Sequence, residues 1–220
     1  MDCSENRPCS IYLELSAVVA NGRKVFVSGN LHGTAGTLES ILLGSSDGGV
    51  SWKEATPRIQ GAAIELVQFY DLQHGWAAGE LQYPLPHDPF FLVSTDGGES
   101  WRRKPVTSGG GSGSVQTFSF DSVQHGELIV DSGKGATGGR YGFFESQTGG
   151  DSWMIRSATG EMPRLKHPAP ETDSWRLKPD DTSSKTWKLE QKENDVWTVV
   201  AEFPIEVGQC PVLAPAADQL

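Results

Sequence analysis

The residues of this 220-residue chain with the type and spacing for chemistry are mostly acids. Glu80 and Asp131 each stand five residues beyond the glycine of a Gln-His-Gly run, at Gly75 and Gly126, and Asp180 holds a near-corresponding place further on. Two carboxylates facing one substrate are what glycoside cleavage requires, one as acid and one as base or nucleophile. A cluster of three would equally attract a cationic partner surface or a metal ion. The plain alternative is a solvated rim, in a chain with 28 Asp and Glu against 18 Lys and Arg. His74 and His125 recur in the same turn and read as polar turn residues rather than shared metal ligands. His87 and Asp88 lie in the loop Tyr83-Pro84-Leu85-Pro86-His87-Asp88-Pro89, ahead of Phe90, where an imidazole and an aromatic would contact a ligand, plain loop polarity being the other reading. Gly133 to Gly138 matches Gly-x-Gly-x-x-Gly, but a dinucleotide site needs a strand before and a helix after, and here a strand follows. Nucleophile elbows, His-Glu-x-x-His and paired Cys-x-x-Cys motifs are absent, so no cofactor and no metal are expected.

A net charge of −10 repels a phosphate backbone and argues against nucleic acid as a partner. No apolar run approaches the ~18 residues of a membrane span, and the first residues lack the basic-then-apolar pattern of a signal peptide. Glycine is in excess, 26 residues or about 12% against a usual ~7%, and with Ser, Asp and Asn it marks many tight turns. Capped helical periodicity is missing. Short β-rich runs take its place at 11–19, 24–28, 64–69, 90–94, 115–120, 128–130, 141–144 and 197–203, so the class is all-β.

Three segments superimpose without gaps: Ser45-x-Asp47-x-Gly49-x-x-Trp52, Ser94-x-Asp96-x-Gly98-x-x-Trp101 and Ser146-x-Thr148-x-Gly150-x-x-Trp153, their serines 49 and 52 residues apart. Each reads as a hairpin. The Ser and Asp side chains bond turn N–H groups, the glycines supply positive φ, and the tryptophan opens the outgoing strand and lies at least half buried over the turn. These are stability devices rather than catalytic ones. A Gln-His-Gly element precedes the second and third boxes with a spacing of 51. Four units of about 50 residues follow, at 10–56, 62–106, 114–157 and 162–204, with 205–220 as a closing segment. In the second unit strands A to D fall at 63–70, 75–80, 89–94 and 99–105. The fourth keeps Trp175 and Trp197 but has lost the box, and its strand A falls in the Pro-rich stretch 162–170, where proline weakens a central strand.

The Ser-x-Asp-x-Gly-x-x-Trp pattern resembles the Asp-box, or bacterial neuraminidase repeat, of β-propeller blades, with Thr148 departing from it. The whole unit resembles the repeats of photosystem II stability and assembly factors, and also sortilin-type and xyloglucanase-type propellers. The resemblance implies a single propeller domain of about four blades, each a four-stranded antiparallel sheet. The ring would be closed, a segment of a larger one, or a half completed by a second copy. It implies a non-enzymatic binding or assembly module for a protein or carbohydrate partner, with a glycoside hydrolase or lyase using Glu80 and Asp131 as the alternative. Sialidase chemistry is not expected, since Pro57-Arg58-Ile59-Gln60 follows the first box and lacks the proline of Arg-Ile-Pro. The resembling families imply a secreted, periplasmic or lumenal setting. There Cys9 would pair with Cys210 and leave Cys3 free or near a lipid-attachment site, three unpaired thiols being the other possibility. In such a frame the B-to-C loops are long, Gly29 to Leu38, Leu81 to Pro89, Ser132 to Arg140 and Asp180 to Ser184, and Glu80, Tyr83, His87, Asp88, Asp131 and Asp180 share their rim. Dissimilar loops on a repeated scaffold are where binding surfaces are built.

Overall fold

The computed structural model describes residues 11–168, 174–181 and 186–204, all of them strand, turn or coil. Cys3, Cys9, Cys210 and the segment 205–220 lie outside these residues. Strands β1 (Tyr12–Asn21), β2 (Lys24–Gly33), β3 (Gly36–Ser45) and β4 (Lys53–Glu54) form the first sheet, with β5 (Ile59–Gln60) paired to β3. The second runs β6 (Ala62–Phe69), β7 (Gly75–Leu81), β8 (His87–Ser94), β9 (Arg102–Pro105), and the third β10 (Ser114–Phe120), β11 (Gly126–Asp131), β12 (Tyr141–Ser146), β13 (Met154–Thr159). A fourth sheet has three strands, β14 (Trp175–Pro179), β15 (Thr186–Glu193) and β16 (Val196–Pro204). All pairings are antiparallel, and all but that of β5 with β3 join successive strands. Four such up-and-down sheets are consistent with a four-blade propeller.

Two expectations are corrected. No strand occupies 162–168, because Pro163 and Pro168 cannot donate to a ladder, and the fourth sheet therefore lacks the expected first strand among the described residues. The stretch Gly29 to Leu38 is not a long loop: β2 and β3 continue through it, pairing Gly33 with Gly36.

The second strand of each of the first three sheets is buried on both faces almost throughout, as in Val25 to Asn30, Gly75 to Glu80 and Gly126 to Val130. It must therefore lie between neighbouring sheets. Strand β6 packs across β1, β2 and β3, β10 across β6, β7 and β8, and β1 across β14 and β15. Each interface has its own core. Leu42, Ile64, Phe90 and Leu92 fill the first-to-second layer, Trp76, Phe91, Phe120 and Leu128 the second-to-third, and Leu15, Val27, Ile41 and Leu189 the fourth-to-first. Among the described residues no strand of the third sheet packs across the fourth in this way. Outer strands β9 and β13 are largely exposed, and the Arg102-Arg103-Lys104 run on β9 protects that edge from foreign strands.

The three repeated turns share one bonding scheme. Ser45, Ser94 and Ser146 Oγ accept the N–H of Gly49, Gly98 and Gly150 at 2.8, 2.8 and 2.9 Å. Asp47 and Asp96 accept the N–H of Ser51 and Ser100 at 2.9 and 3.0 Å, and Thr148 Oγ1 does the same for Ser152 at 2.9 Å. Trp52 and Trp101 donate back to the carbonyls of Gly49 and Gly98, whereas buried Trp153 Nε1 has no partner. Each tryptophan lies partly buried, one residue before its strand. Gly98, at φ +82, is also required by space, because a Cβ there would strike the Phe26 ring of the neighbouring sheet.

The Ser100 hydroxyl and N–H hold the Asp96 carboxyl down at about 2. Asp96→Ala is expected to lower stability by about 1 kcal/mol, modestly because the turn is wet. A depressed pKa contributes stability above the unfolded value of ~4 and loses it as pH falls through the folded one. Urea unfolding of parent and variant should thus differ at pH 7 and converge near pH 2; a gap that persists in acid counts against the assignment.

Candidate binding face

The three acids singled out by the sequence do not converge as a bare arc. Asp131 ends β11, where both its oxygens take Arg140 Nε at 2.9 Å, and Arg140 holds its carboxyl below the usual range. Asp180 is paired with Lys188 Nζ at 3.3 Å. Glu80 is not on the rim. It is 5% exposed, near the end of β7, and its Oε2 accepts the N–H of Val115 on the next sheet at 3.3 Å. Asn30 holds the matching position of β2 and accepts the N–H of Ile64 at 2.9 Å. Glu80 thus performs an inter-sheet tie that a neutral amide performs one sheet earlier.

Burial pushes the Glu80 carboxyl up to about 7, and repulsion from Glu65 adds to this while the Val115 N–H and Gln82 oppose it. Glu65 sits at a bulge of β6, between Ile64 and Leu66, and is itself raised by desolvation and by Glu14. Glu14 in turn meets His32 Nε2 at 2.9 Å. The carboxylates that interact are therefore Glu65 with Glu80 and with Glu14, not Glu80 with Asp131. Sequence spacing pointed to loop starts and missed Glu65. A signal existed, since one glutamate interrupts the apolar run Ala62-Ala63-Ile64-Glu65-Leu66-Val67.

Beyond β7 the loop 82–86 projects Tyr83 and Leu85, which are 84% and 73% exposed. His87 and Asp88 anchor this loop instead of offering free side chains. His87 Nδ1 lies 2.8 Å from the Leu85 carbonyl, and Asp88 exchanges two bonds with Gly111, its N–H donating to the carbonyl at 2.7 Å and its Oδ1 accepting the N–H at 3.0 Å. The Gly113 N–H adds a bond to the Pro86 carbonyl at 2.8 Å, so the Gly/Ser-rich connector 108–114 is fastened to the loop. Phe90 is buried beneath the Arg103 guanidinium, 4.1 Å above its ring, and cannot meet a ligand. An open groove of about 390 Å3 runs beside the loop, lined by Leu85, Pro86, Ser112, Asp131, Lys134 and Arg140 among others. Gly133 and Lys134, at the start of the Gly133 to Gly138 turn, also line it, and no helix among the described residues completes a nucleotide site.

No protein-family model matches the chain, and no curated protein does. Among solved structures it is similar to YCF48 from Cyanidioschyzon merolae, at 15% identity and a TM-score of 0.41 over 80% of this chain and 47% of that one. A GH74 xyloglucanase from Xanthomonas campestris aligns at 13% identity and a TM-score of 0.41 over 82% of this chain and 26% of the enzyme. The alpha-l-arabinofuranosidase arb93a from Fusarium graminearum, solved with an iminosugar inhibitor, aligns at 12% identity and 0.40 over 87% and 56%. The chain therefore spans between about a quarter and just over half of these proteins, and the likeness is loose. Two of the three carry the names of carbohydrate-cleaving enzymes.

The histidines of the repeated turns have local partners. His74 Nδ1 lies 2.9 Å from Asp71 Oδ2, and His125 Nδ1 lies 2.7 Å from Asp121 Oδ1. They belong to the turns of successive sheets.

Proposed function

We propose that this chain is a non-enzymatic binding module, a four-bladed β-propeller of the Asp-box kind, which presents a partner protein with the surface formed by loops 82–86 and 132–140. The observation that carries this reading is the pairing of a highly exposed Tyr83 and Leu85 with a hydrogen-bonded loop base. Large apolar side chains on a pinned loop lose little conformational entropy on association, and aromatic anchors of this sort dominate interface energies. Lys134 and Arg140 across the groove suit an acidic rim on the partner. An exported or lumenal setting belongs to the same proposal.

The protein immobilised and exposed to native extract should retain a partner that the Tyr83→Ala/Leu85→Ser double variant loses by at least tenfold, with both proteins melting at the same temperature. Equal retention by the two would remove the loop from the interface.

A second reading, as a carbohydrate-cleaving enzyme, is favoured by one observation. Glu80, pushed up to about 7 by burial with Glu65 repelling it, is a carboxyl that holds its proton close to neutral pH, as a general acid must. It stands second because both Glu80 oxygens are already engaged, by Val115 and by Gln82 at 2.9 Å.

A further inference from the structure

The repeat supplies a comparison within the molecule. One residue past the partner of each box serine, the second strand aims a side chain toward the following layer. Register places Phe26, Trp76 and Glu127 there, opposite Gly44, Val93 and Glu145. Phe26 and Trp76 stack on Phe69 and Phe120 at centroid distances of 4.8 and 3.7 Å. Glu127 takes the aromatic position in the third sheet and is 1% exposed. A buried carboxylate is costly unless both oxygens are satisfied. Its Oε2 accepts the N–H groups of Lys166 and His167 at 2.7 and 3.1 Å, whereas its Oε1 has no hydrogen-bond partner.

That oxygen faces a cluster of donors. His167 Nδ1 lies 3.6 Å from Glu127 Oε1 and 3.2 Å from Asp121 Oδ2, while Asp121 Oδ1 lies 2.7 Å from His125 Nδ1. Ligand atoms of Asp121, His125 and His167 all fall within 4.8 Å of one another, as do those of His125, Glu127 and Glu145. Glu145 is otherwise engaged, with Arg156 Nε at 2.8 Å and Lys166 Nζ at 3.0 Å. Two imidazoles and two carboxylates remain.

We propose that Asp121, His125, Glu127 and His167 bind one divalent transition-metal ion of the zinc class, which fastens the segment 160–168 to the third sheet. Two nitrogens and two oxygens suit four-coordinate zinc, whose ligands sit about 2 Å from the ion. Ligand atoms would then lie ~3–3.5 Å apart, within small side-chain rotations of their present places. The two backbone N–H groups on Oε2 orient the Glu127 carboxylate and leave Oε1 to the metal, as outer-shell bonds do in metal sites. The second sheet has the same acid and histidine, Asp71 and His74, but Trp76 in place of the glutamate. It serves as the control.

The untagged full chain, stripped with chelator, is titrated with Zn2+ in competition with a chromophoric chelator. One ion per chain is expected, with affinity weakened at least tenfold by His167→Ala and by Glu127→Gln and unchanged by His74→Ala. Zinc should also raise the melting temperature of the parent but not of His167→Ala. If Glu127→Gln fails to fold, His167→Ala still decides, its side chain being 56% exposed. Absence of zinc binding, or binding that survives the His125→Ala/His167→Ala double substitution, overturns the site and leaves a hydrogen-bonded latch around Asp121.

Discussion

Trp76→Ala is expected to destabilise the protein by about 4–5 kcal/mol, the upper part of the range for removing a buried tryptophan. Trp76 is 1% exposed and stacks on Phe120 at 3.7 Å, so truncation opens a hole between the second and third sheets. The same change strands the Gly149 carbonyl, which now accepts the indole N–H at 2.8 Å. That carbonyl belongs to the turn 146–153, so the loss loosens the third hairpin as well. Trp101 offers a calibration. It meets Phe26 and Phe69 edge-on, each at 5.9 Å, but is only partly buried, and Trp101→Ala should cost less, about 3 kcal/mol. Equilibrium urea unfolding of the two variants decides the order; a Trp76 variant less damaged than the Trp101 variant would mean that box tryptophans, not interlayer stacks, hold the sheets together.

Glu80→Gln is expected to stabilise the protein above neutral pH by as much as about 3 kcal/mol. Burial raises the Glu80 carboxyl to about 7, well above the ~4.3 of an unfolded glutamate. An acid whose folded pKa is raised binds more protons in the native state than in the unfolded one between those two values. Stability from this group is therefore full below about pH 4, falls as pH rises towards 7, and stays low above it. The amide removes the charge while its carbonyl oxygen still accepts the Val115 N–H, as Asn30 does for Ile64. Chemical denaturation between pH 4 and pH 9 should show the parent losing stability through this window and the variant holding it. A variant less stable than the parent at pH 8 would mean that the carboxylate is needed ionised in the native state. The substitution also bears on function: loss of a carbohydrate-cleaving activity on making it would favour the enzymatic reading, since the binding face does not use Glu80.

What the sequence by itself determined is what local chemistry dictates. Ser45, Asp47, Gly49 and Trp52, with their two repeats, specify a turn whose bonds all close within eight residues, so hairpin and strand order could be read one unit at a time. Strand ends came within three residues in the second sheet, because its apolar run and turn residues alternate cleanly. Tertiary structure alone decided everything that depends on which sheet faces which. Glu80 looked like the start of an exposed loop, yet Val115 on the following sheet buries it. Asp131 looked like its partner, yet Arg140, nine residues on, takes it. Glu127 and His167 gave no local pattern, because their partners are brought to them by a neighbouring layer or by a connecting segment. Hydrogen bonds within a turn are encoded by short spacing, whereas burial and charge pairing between layers arise only once separate sheets are stacked, so the all-β class and its antiparallel sheets were readable from the chain and the chemistry of its sites was not.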